Sequence, residues 1–123
     1  MTEGGNKGGR PYDLEERTEL FAKRCRELIR RLPRTVTNVE DARQLVRASG
    51  SVAGNYLEAN DSLSKKDFRM RIKICRKEAK ESRLFLRLIN TDGNPNAEGE
   101  KASLIQGAQE LTNIFGAIVR KSE

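Results

Sequence analysis

The stretch SKKDFRMRIKICRKEAKESRLFLRLI, residues 64–89, decides the fold of this 123-residue chain. At about 100° per residue, its apolar and basic side chains separate onto different faces of one long helix. The apolar face recurs at alternating steps of four and three, as in a helix that packs against other helices. Its members are Phe68, Ile72, Cys75, Ala79, Ser82, Leu86 and Ile89.

A second set of side chains follows the same rhythm and is entirely basic. We call it the basic stripe, and its members are Lys66, Arg69, Lys73, Arg76, Lys80, Arg83 and Arg87. No acid interrupts it, because Glu78 and Glu81 fall toward the apolar side, beside Arg71. The net charge of the chain is +6. An unbroken row of Lys and Arg favours polyanionic partners, since phosphates are neutralised by such cations.

Three further amphipathic helices are expected around this one. The first begins near Asp13, a plausible N-cap, and ends at Pro33. The second runs roughly over residues 39–60, and the fourth over residues 97–121. Charged residues make up 34% of the chain and aromatic residues 5%, a composition typical of long helices. The sequence therefore predicts an all-α, antiparallel up-down-up-down four-helix bundle.

The chain is long enough for one domain but not for two. Residues 1–11 are Gly-rich and polar, so we expect a disordered tail there and the four-helix bundle over residues 12–123. Cys25 and Cys75 both fall on apolar seams, where small buried hydrophobes are expected rather than a disulfide or metal site. With no signal peptide in this sequence and no apolar run long enough to span a bilayer, the default expectation is a cytoplasmic protein.

The second helix departs from a plain amphipathic pattern by carrying a row of polar residues. The row consists of Gln44, Arg47, Ser51, Asn55 and Glu58. It is either a solvated face or one half of a buried, hydrogen-bonded contact with Arg71, Glu78 and Glu81, and we call these eight residues the polar seam. Of these two alternatives we predict the second, with Asn55, Glu58, Arg71, Glu78 and Glu81 largely buried and hydrogen-bonded to one another. Replacing Glu78 with Leu should then cost several kcal/mol by leaving buried partners unpaired.

Two smaller features predict close packing and self-association. Gly50 and Gly54 lie four apart within the second helix, where each destabilises it relative to Ala, so we expect another helix to approach closely there. On the fourth helix, Ile105, Ile114 and Val119 widen the apolar surface beyond what one core needs. This extra apolar surface on the fourth helix, together with that on the first, predicts a homo-oligomer, since large exposed apolar patches usually mark interfaces.

The second and third helices together carry a resemblance to a known family. Their residues resemble the bacterial 23S rRNA intervening-sequence proteins. In the second helix the matching residues are Gln44, Leu45, Arg47, Ser49, Ser51, Val52, Asn55 and Glu58. In the third they are Phe68, Arg76, Lys77, Glu78, Ala79, Glu81, Ser82 and Leu86. The family's members are four-helix bundles, so the resemblance implies the same fold.

The resemblance implies less about function than about fold. Some members of the family are encoded within insertions in ribosomal RNA genes. The bundle is also similar to the accessory variability determinant proteins of diversity-generating retroelements. Those proteins form ring-shaped homopentamers and bind nucleic acid and a reverse transcriptase. The similarity implies a pentamer and a reverse transcriptase or ribosomal RNA partner, but a shared fold does not determine function.

Three classes of function compete at this stage. The first is a nucleic-acid-binding accessory protein that presents the basic stripe to RNA or DNA. Its expected contact residues are Lys66, Arg69, Lys73, Arg76, Lys80 and Arg83, with Arg43 alongside. The second is an oligomeric protein-protein scaffold, in which the stripe is a solvated face or meets acids of a neighbouring subunit. The third, an enzyme, is disfavoured because the chain has no His, no metal-ligand cluster and no phosphate-binding Gly loop. No cofactor, metal, membrane or small-molecule substrate is expected.

Overall fold

Four long helices follow from the amphipathic patterns and their capping residues. The structure, a computed structural model, describes residues 13–123, and the tail predicted for residues 1–11 lies outside them. The helices are α1 (Leu14–Arg30), α2 (Val36–Asn60), α3 (Lys65–Leu88) and α4 (Pro95–Lys121). Each begins after a side chain that accepts a hydrogen bond from the first turn, as N-caps do. These caps are Asp13, Thr35, Ser64 and Asn94.

Helices that follow one another in sequence pack side by side, and α4 closes the bundle against α1. The three connections are short, so neighbouring helices run antiparallel. The predicted up-down-up-down four-helix bundle is confirmed. None of the four helices, over the described residues, combines the length and apolar character needed to cross a membrane.

The boundaries of three helices differ from the expected ones. Helix α1 ends at Arg30 rather than at Pro33, and the other two differ at their starts. Helix α2 begins at Val36 rather than near residue 39, because the Thr35 hydroxyl accepts a hydrogen bond from the Asn38 amide at 3.1 Å. Helix α4 begins at Pro95 rather than near Ala97, since proline suits the first turn and Asn94 caps it. In both cases the capping residue, not the first apolar residue, determines where the helix starts.

The apolar seams of all four helices meet in one core. Six of the seven residues on the predicted apolar face of α3 are buried, and Phe68 is half-buried against them. Cys25 and Cys75 are fully buried free thiols. Burial raises the pKa of each thiol to about 12, because desolvation disfavours the thiolate. Both are therefore protonated, inert core residues at neutral pH.

Asn38 joins three segments at one end of the bundle. Its side-chain amide nitrogen donates to the carbonyls of Pro33 and Asn90 at 3.0 and 2.8 Å, and its oxygen accepts from the Asn90 amide at 2.9 Å. The side chain is only 3% exposed. It therefore satisfies backbone groups that the ends of α1 and α3 leave unpaired.

Two packing predictions are wrong. Gly54 is exposed, and a Cβ there would meet nothing within 4 Å, so no helix approaches it. A Cβ at Gly50 would lie 3.1 Å from the Arg26 guanidinium of α1, so only this glycine has a packing role. Val119 is 5% exposed and belongs to the core rather than to a surplus apolar surface. It lies on the side of α4 that faces the bundle, whereas Ile105 and Ile114 are half-buried at its flanks.

Candidate nucleic-acid interface

The basic stripe divides into two columns along α3. The outer column is exposed and consists of Lys66, Lys73, Lys80 and Arg87. The inner column is partly buried and consists of Arg69, Arg76 and Arg83. Within each column the residues are seven apart, which places successive charges about 10 Å from one another along the helix axis. The outer column therefore meets solvent directly, while the inner column contributes to packing as well as charge.

Contacts with α4 position two of the inner arginines. The Arg69 Nε donates to the Ser122 hydroxyl at 3.2 Å, just after α4 ends. A Cβ at buried Gly116 would lie 3.8 Å from the Arg76 Cδ and 3.5 Å from the Arg120 Nη1. Both distances are ordinary van der Waals contacts, so the two arginine side chains pack over the α4 backbone at this point. The inner column thus lies along the boundary between α3 and α4.

Arg120 is a further cation at this boundary, and it was not predicted as a site residue. It occupies the last turn of α4, which the antiparallel arrangement places beside the first half of α3. Its sequence position alone suggests only that it stabilises the helix C-terminus. The periodicity of α3 does not predict which α4 residue lies across from Arg76. The proximity of Arg120 therefore follows only from the structure.

The stripe has no acidic partner within residues 13–123. Every ion pair between described side chains involves other cations, namely Arg17, Arg24, Arg47 and Lys77. The Arg83 Nε is buried and has no hydrogen-bond partner among these residues. At the start of α3, a groove of about 440 Å³ is lined by Lys66, Arg69 and Lys73, together with Asp67. The arrangement is an uncompensated row of positive charge that offers hydrogen-bond donors to anions.

The polar seam connects α2 to α3, but as two separate groups. In the first, Arg71 donates to the Asn55 side-chain oxygen at 3.0 Å, and Asn55 donates to Ser51. In the second, Arg47 lies 2.9 Å from Glu81 and 3.6 Å from Glu78. Lys77 adds weaker contacts with the same two carboxylates, at 3.9 Å and 4.0 Å. Gln44 is half-buried at the edge of the seam.

The prediction that Glu58 is buried in this seam is wrong. Glu58 is exposed, and its side chain makes no hydrogen bond or ion pair with the described residues. Gln44, Ser51 and Glu58 are spaced by seven, and a straight helix drifts by about 20° per heptad. By the third position the drift has moved the side chain from the α3 side of α2 to the solvent side.

Glu78 is buried but poorly paired. It is 5% exposed, and its Oε1 has no hydrogen-bond partner among the described residues. Arg71 hydrogen-bonds to Asn55 rather than to this carboxylate, while Arg47 is 54% exposed and keeps Glu81 as a partner. Removing Glu78 therefore leaves no buried partner unpaired. The expectation of a loss of several kcal/mol, made from the sequence, does not follow from this geometry.

Arg43 does not join the basic stripe. It lies on α2 and lines a groove shared with Ile29 and Leu32 of the α1 side, whereas the stripe borders α4. The prediction that Arg43 lies alongside the stripe is wrong. Each turn of α2 has residues that face α1 and residues that face α3, and Arg43 lies on the α1 side. Among the described residues, no three His, Cys, Asp or Glu side chains form a group able to hold a metal ion.

Comparisons with known proteins agree with the resemblance seen in α2 and α3. A family model described as 23S rRNA-intervening sequence protein matches residues 12–117. A crystal structure from Bacteroides thetaiotaomicron VPI-5482, described as a protein of unknown function from the S23 ribosomal protein family, is similar in fold. It is 22% identical with a TM-score of 0.70, and the match covers 87% of this chain and 98% of that one. No curated protein matches the chain.

Proposed function

The chain belongs to the 23S rRNA-intervening sequence protein family, and from that premise we propose that it is a non-enzymatic, nucleic-acid-binding accessory protein. The basic stripe binds the phosphate backbone of RNA or DNA. A cytoplasmic location, and a ribosomal RNA or reverse transcriptase partner, belong to the same proposal. The family's name, which refers to 23S rRNA, supports a link with RNA.

One observation carries the proposal: the stripe has no acidic partner among the described residues. The outer column offers three lysines and Arg87, all exposed, along more than 30 Å of helix, a length of about 1.5 Å per residue. Arg120 extends the positive surface onto α4. Such a surface favours repeated phosphates over a single small anion.

The contacts are expected to be with the backbone rather than with bases. Exposed aromatic rings, on which unpaired bases stack, are absent from the stripe, whose intervening exposed apolar residues are Met70 and Leu84. Lys contacts phosphate as a point charge and carries little information on sequence. Binding should therefore be strongly salt-dependent and weakly sequence-specific.

We include self-association in the proposal, with a ring of five subunits as its specific form. The apolar surface left for an interface on α1 and α4 is smaller than the sequence predicts, because Val119 is buried. What remains on these two helices includes Leu20, which is 56% exposed, and the half-buried Ile105, Ile114 and Ile118. In a ring, each subunit would repeat the stripe, so that weak phosphate contacts would sum by multivalency. A monomer in sedimentation equilibrium would contradict this part.

The test is a salt titration of binding to structured RNA and to duplex DNA. The variant replaces Lys66, Lys73 and Lys80 with Glu, since these exposed side chains support no described contact. Arg69 is left intact because it hydrogen-bonds to Ser122. The slope of log K against log salt should fall, because each neutralised phosphate contributes about 0.9 to the slope for duplex DNA.

The matched control replaces Lys23, Arg30 and Arg43 with Glu, which changes the net charge equally on exposed positions of α1 and α2. Binding that survives in the control but not in the stripe variant supports the proposal. Equal loss in both would mean that net charge, not the stripe, drives association. If the parent binds neither nucleic acid at low salt, the stripe is a solvated face and a protein-protein scaffold becomes the better description.

A further inference from the structure

A second candidate surface lies between α1 and α2, and it exists because α1 is short. Helix α1 has 17 residues and α2 has 25, a difference of about 12 Å of helix. Asn60 hydrogen-bonds to Glu15, and Arg26 reaches the Val46 carbonyl and Ser49. Because the two helices run antiparallel in this register, the C-terminal end of α1 lies about two turns short of the N-terminal end of α2. The first turns of α2 therefore lie beside an extended segment that contains Pro33, rather than beside a helix.

The space left by the missing turns is an apolar groove of about 340 Å³. Its floor is formed by Ile29, Val39, Ala42 and Val46, and its rim carries Arg34 and Arg43. The volume lies at the lower end of the range for ligand pockets, which suits a few side chains rather than a large ligand. Val39 is 36% exposed, so the floor is open to solvent.

The polar side chains that line the groove differ in their partners: the buried Asn38 is hydrogen-bonded, whereas the exposed arginines have no ion-pair partner among the described residues. Asn38, the uncharged polar side chain that lines the groove, already makes three hydrogen bonds to Pro33 and Asn90. Covering it would therefore leave no buried group unpaired. Arg34 and Arg43 are exposed and form no ion pair with another described residue. An occupant without acids would desolvate these two arginines without compensation.

We infer that the groove is a docking site for an acidic amphipathic helix of a partner protein. A helix replaces the two turns that α1 lacks, with apolar anchors three or four residues apart on the floor. Carboxylates on either side of those anchors pair with Arg34 and Arg43, which accept such groups in a bidentate manner. The charge of the rim thus excludes a basic or purely apolar helix.

The groove and the basic stripe belong to different faces of the bundle. The groove is formed by α1 and the start of α2, whereas the stripe borders α4. One subunit can therefore hold a protein helix and a nucleic acid at the same time. The inference does not depend on nucleic-acid binding, because the groove is defined by packing and by two arginines outside the stripe.

The experiment measures binding of a labelled synthetic helix of about four turns to the full chain by fluorescence anisotropy. The peptide has Leu at helical spacing on one face and Glu on both flanks, and a second peptide has Lys in place of each Glu. The groove variant is Arg34→Glu with Arg43→Glu, and the matched control is Lys23→Glu with Arg30→Glu. A third variant, Ala42→Glu, places a charge on the floor. All four positions with reversed charge are exposed, so folding should be preserved and is checked by circular dichroism.

We expect saturable binding of the acidic peptide, no binding of the basic one, and a loss of about tenfold or more in the groove and floor variants but not in the control. The inference is overturned if the acidic peptide does not bind or if the control loses affinity equally. It is also overturned if the Lys66, Lys73 and Lys80 stripe variant abolishes peptide binding, since the peptide then lies on the stripe. If the parent self-associates and the groove variant dissociates it, a second copy of this chain is the occupant and the inference fails.

Discussion

Replacing Glu78 with Leu is the most informative single change in the core-facing surface of α3. A buried carboxylate next to two cations suggests a stabilising ion pair, and its loss would then be costly. The contacts indicate otherwise. Glu78 is 5% exposed, and its Oε1 has no hydrogen-bond partner among the described residues and lies 3.6 Å from the Arg47 guanidinium. We therefore expect Glu78→Leu to be neutral or stabilising.

The expected magnitude follows from what is lost and what is relieved. Arg47 is 54% exposed, so its pair with Glu78 contributes no more than about 0.2–1 kcal/mol. Arg47 also keeps Glu81, at 2.9 Å, after the substitution. An unsatisfied buried acceptor costs roughly 1–3 kcal/mol, and a buried Leu adds apolar contact. The free energy of unfolding should therefore rise by about 0–2 kcal/mol.

The assay is urea unfolding followed by circular dichroism, at fixed pH and protein concentration. Glu81→Leu is the matched control, because Glu81 is half-exposed and holds the short bond to Arg47, so its loss should be slightly destabilising. A loss of more than about 2 kcal/mol for Glu78→Leu would refute the reasoning. It would mean that Glu78 has strong partners in solution, as the buried-seam hypothesis requires.

Four further variants test the packing and the burial of polar groups. Gly54→Ala should stabilise the chain by about 0.5–1 kcal/mol in urea unfolding, since its Cβ meets nothing, whereas Gly50→Ala should gain less or lose stability, because its Cβ would lie 3.1 Å from a guanidinium. Asn38→Ala should cost about 2–4 kcal/mol in the same assay by leaving buried backbone groups of two connections unpaired. Burial raises the pKa of Cys25 and Cys75 from 9.0 to about 12, so the stability they contribute is complete below pH 9 and is lost as pH rises toward 12. Unfolding measured across this range should show that decline, and a double Cys→Ala variant should make it shallower; the pKa of Tyr56, which burial also raises, accounts for part of what is left.

The hydrophobic periodicity of the sequence correctly predicted the features that depend on a single helix. The apolar face of α3 and the helical spacing of the basic stripe follow from 3.6 residues per turn, which local sequence determines. The structure differs where a prediction needed the position of a second helix. Glu58 turns outward because the drift accumulates over two heptads, and Val119 is buried because of how α4 is rotated in the bundle. Arg120 becomes a neighbour of Arg76 only through the antiparallel register.

The charge pattern of α3 indicates that the basic stripe does not stabilise the helix. Its seven members form six successive like-charge neighbours at spacings of three or four, and each such pair destabilises a helix by about 0.2–0.5 kcal/mol. Together they cost roughly 1–3 kcal/mol, and Lys66 in the first turn also opposes the helix dipole. A face that only needed to be solvated would be more stable with alternating acids, as Lys77 and Glu81 show on the same helix. A polyanion would remove this repulsion on binding, which is a further reason for proposing a phosphate-bearing ligand for the stripe.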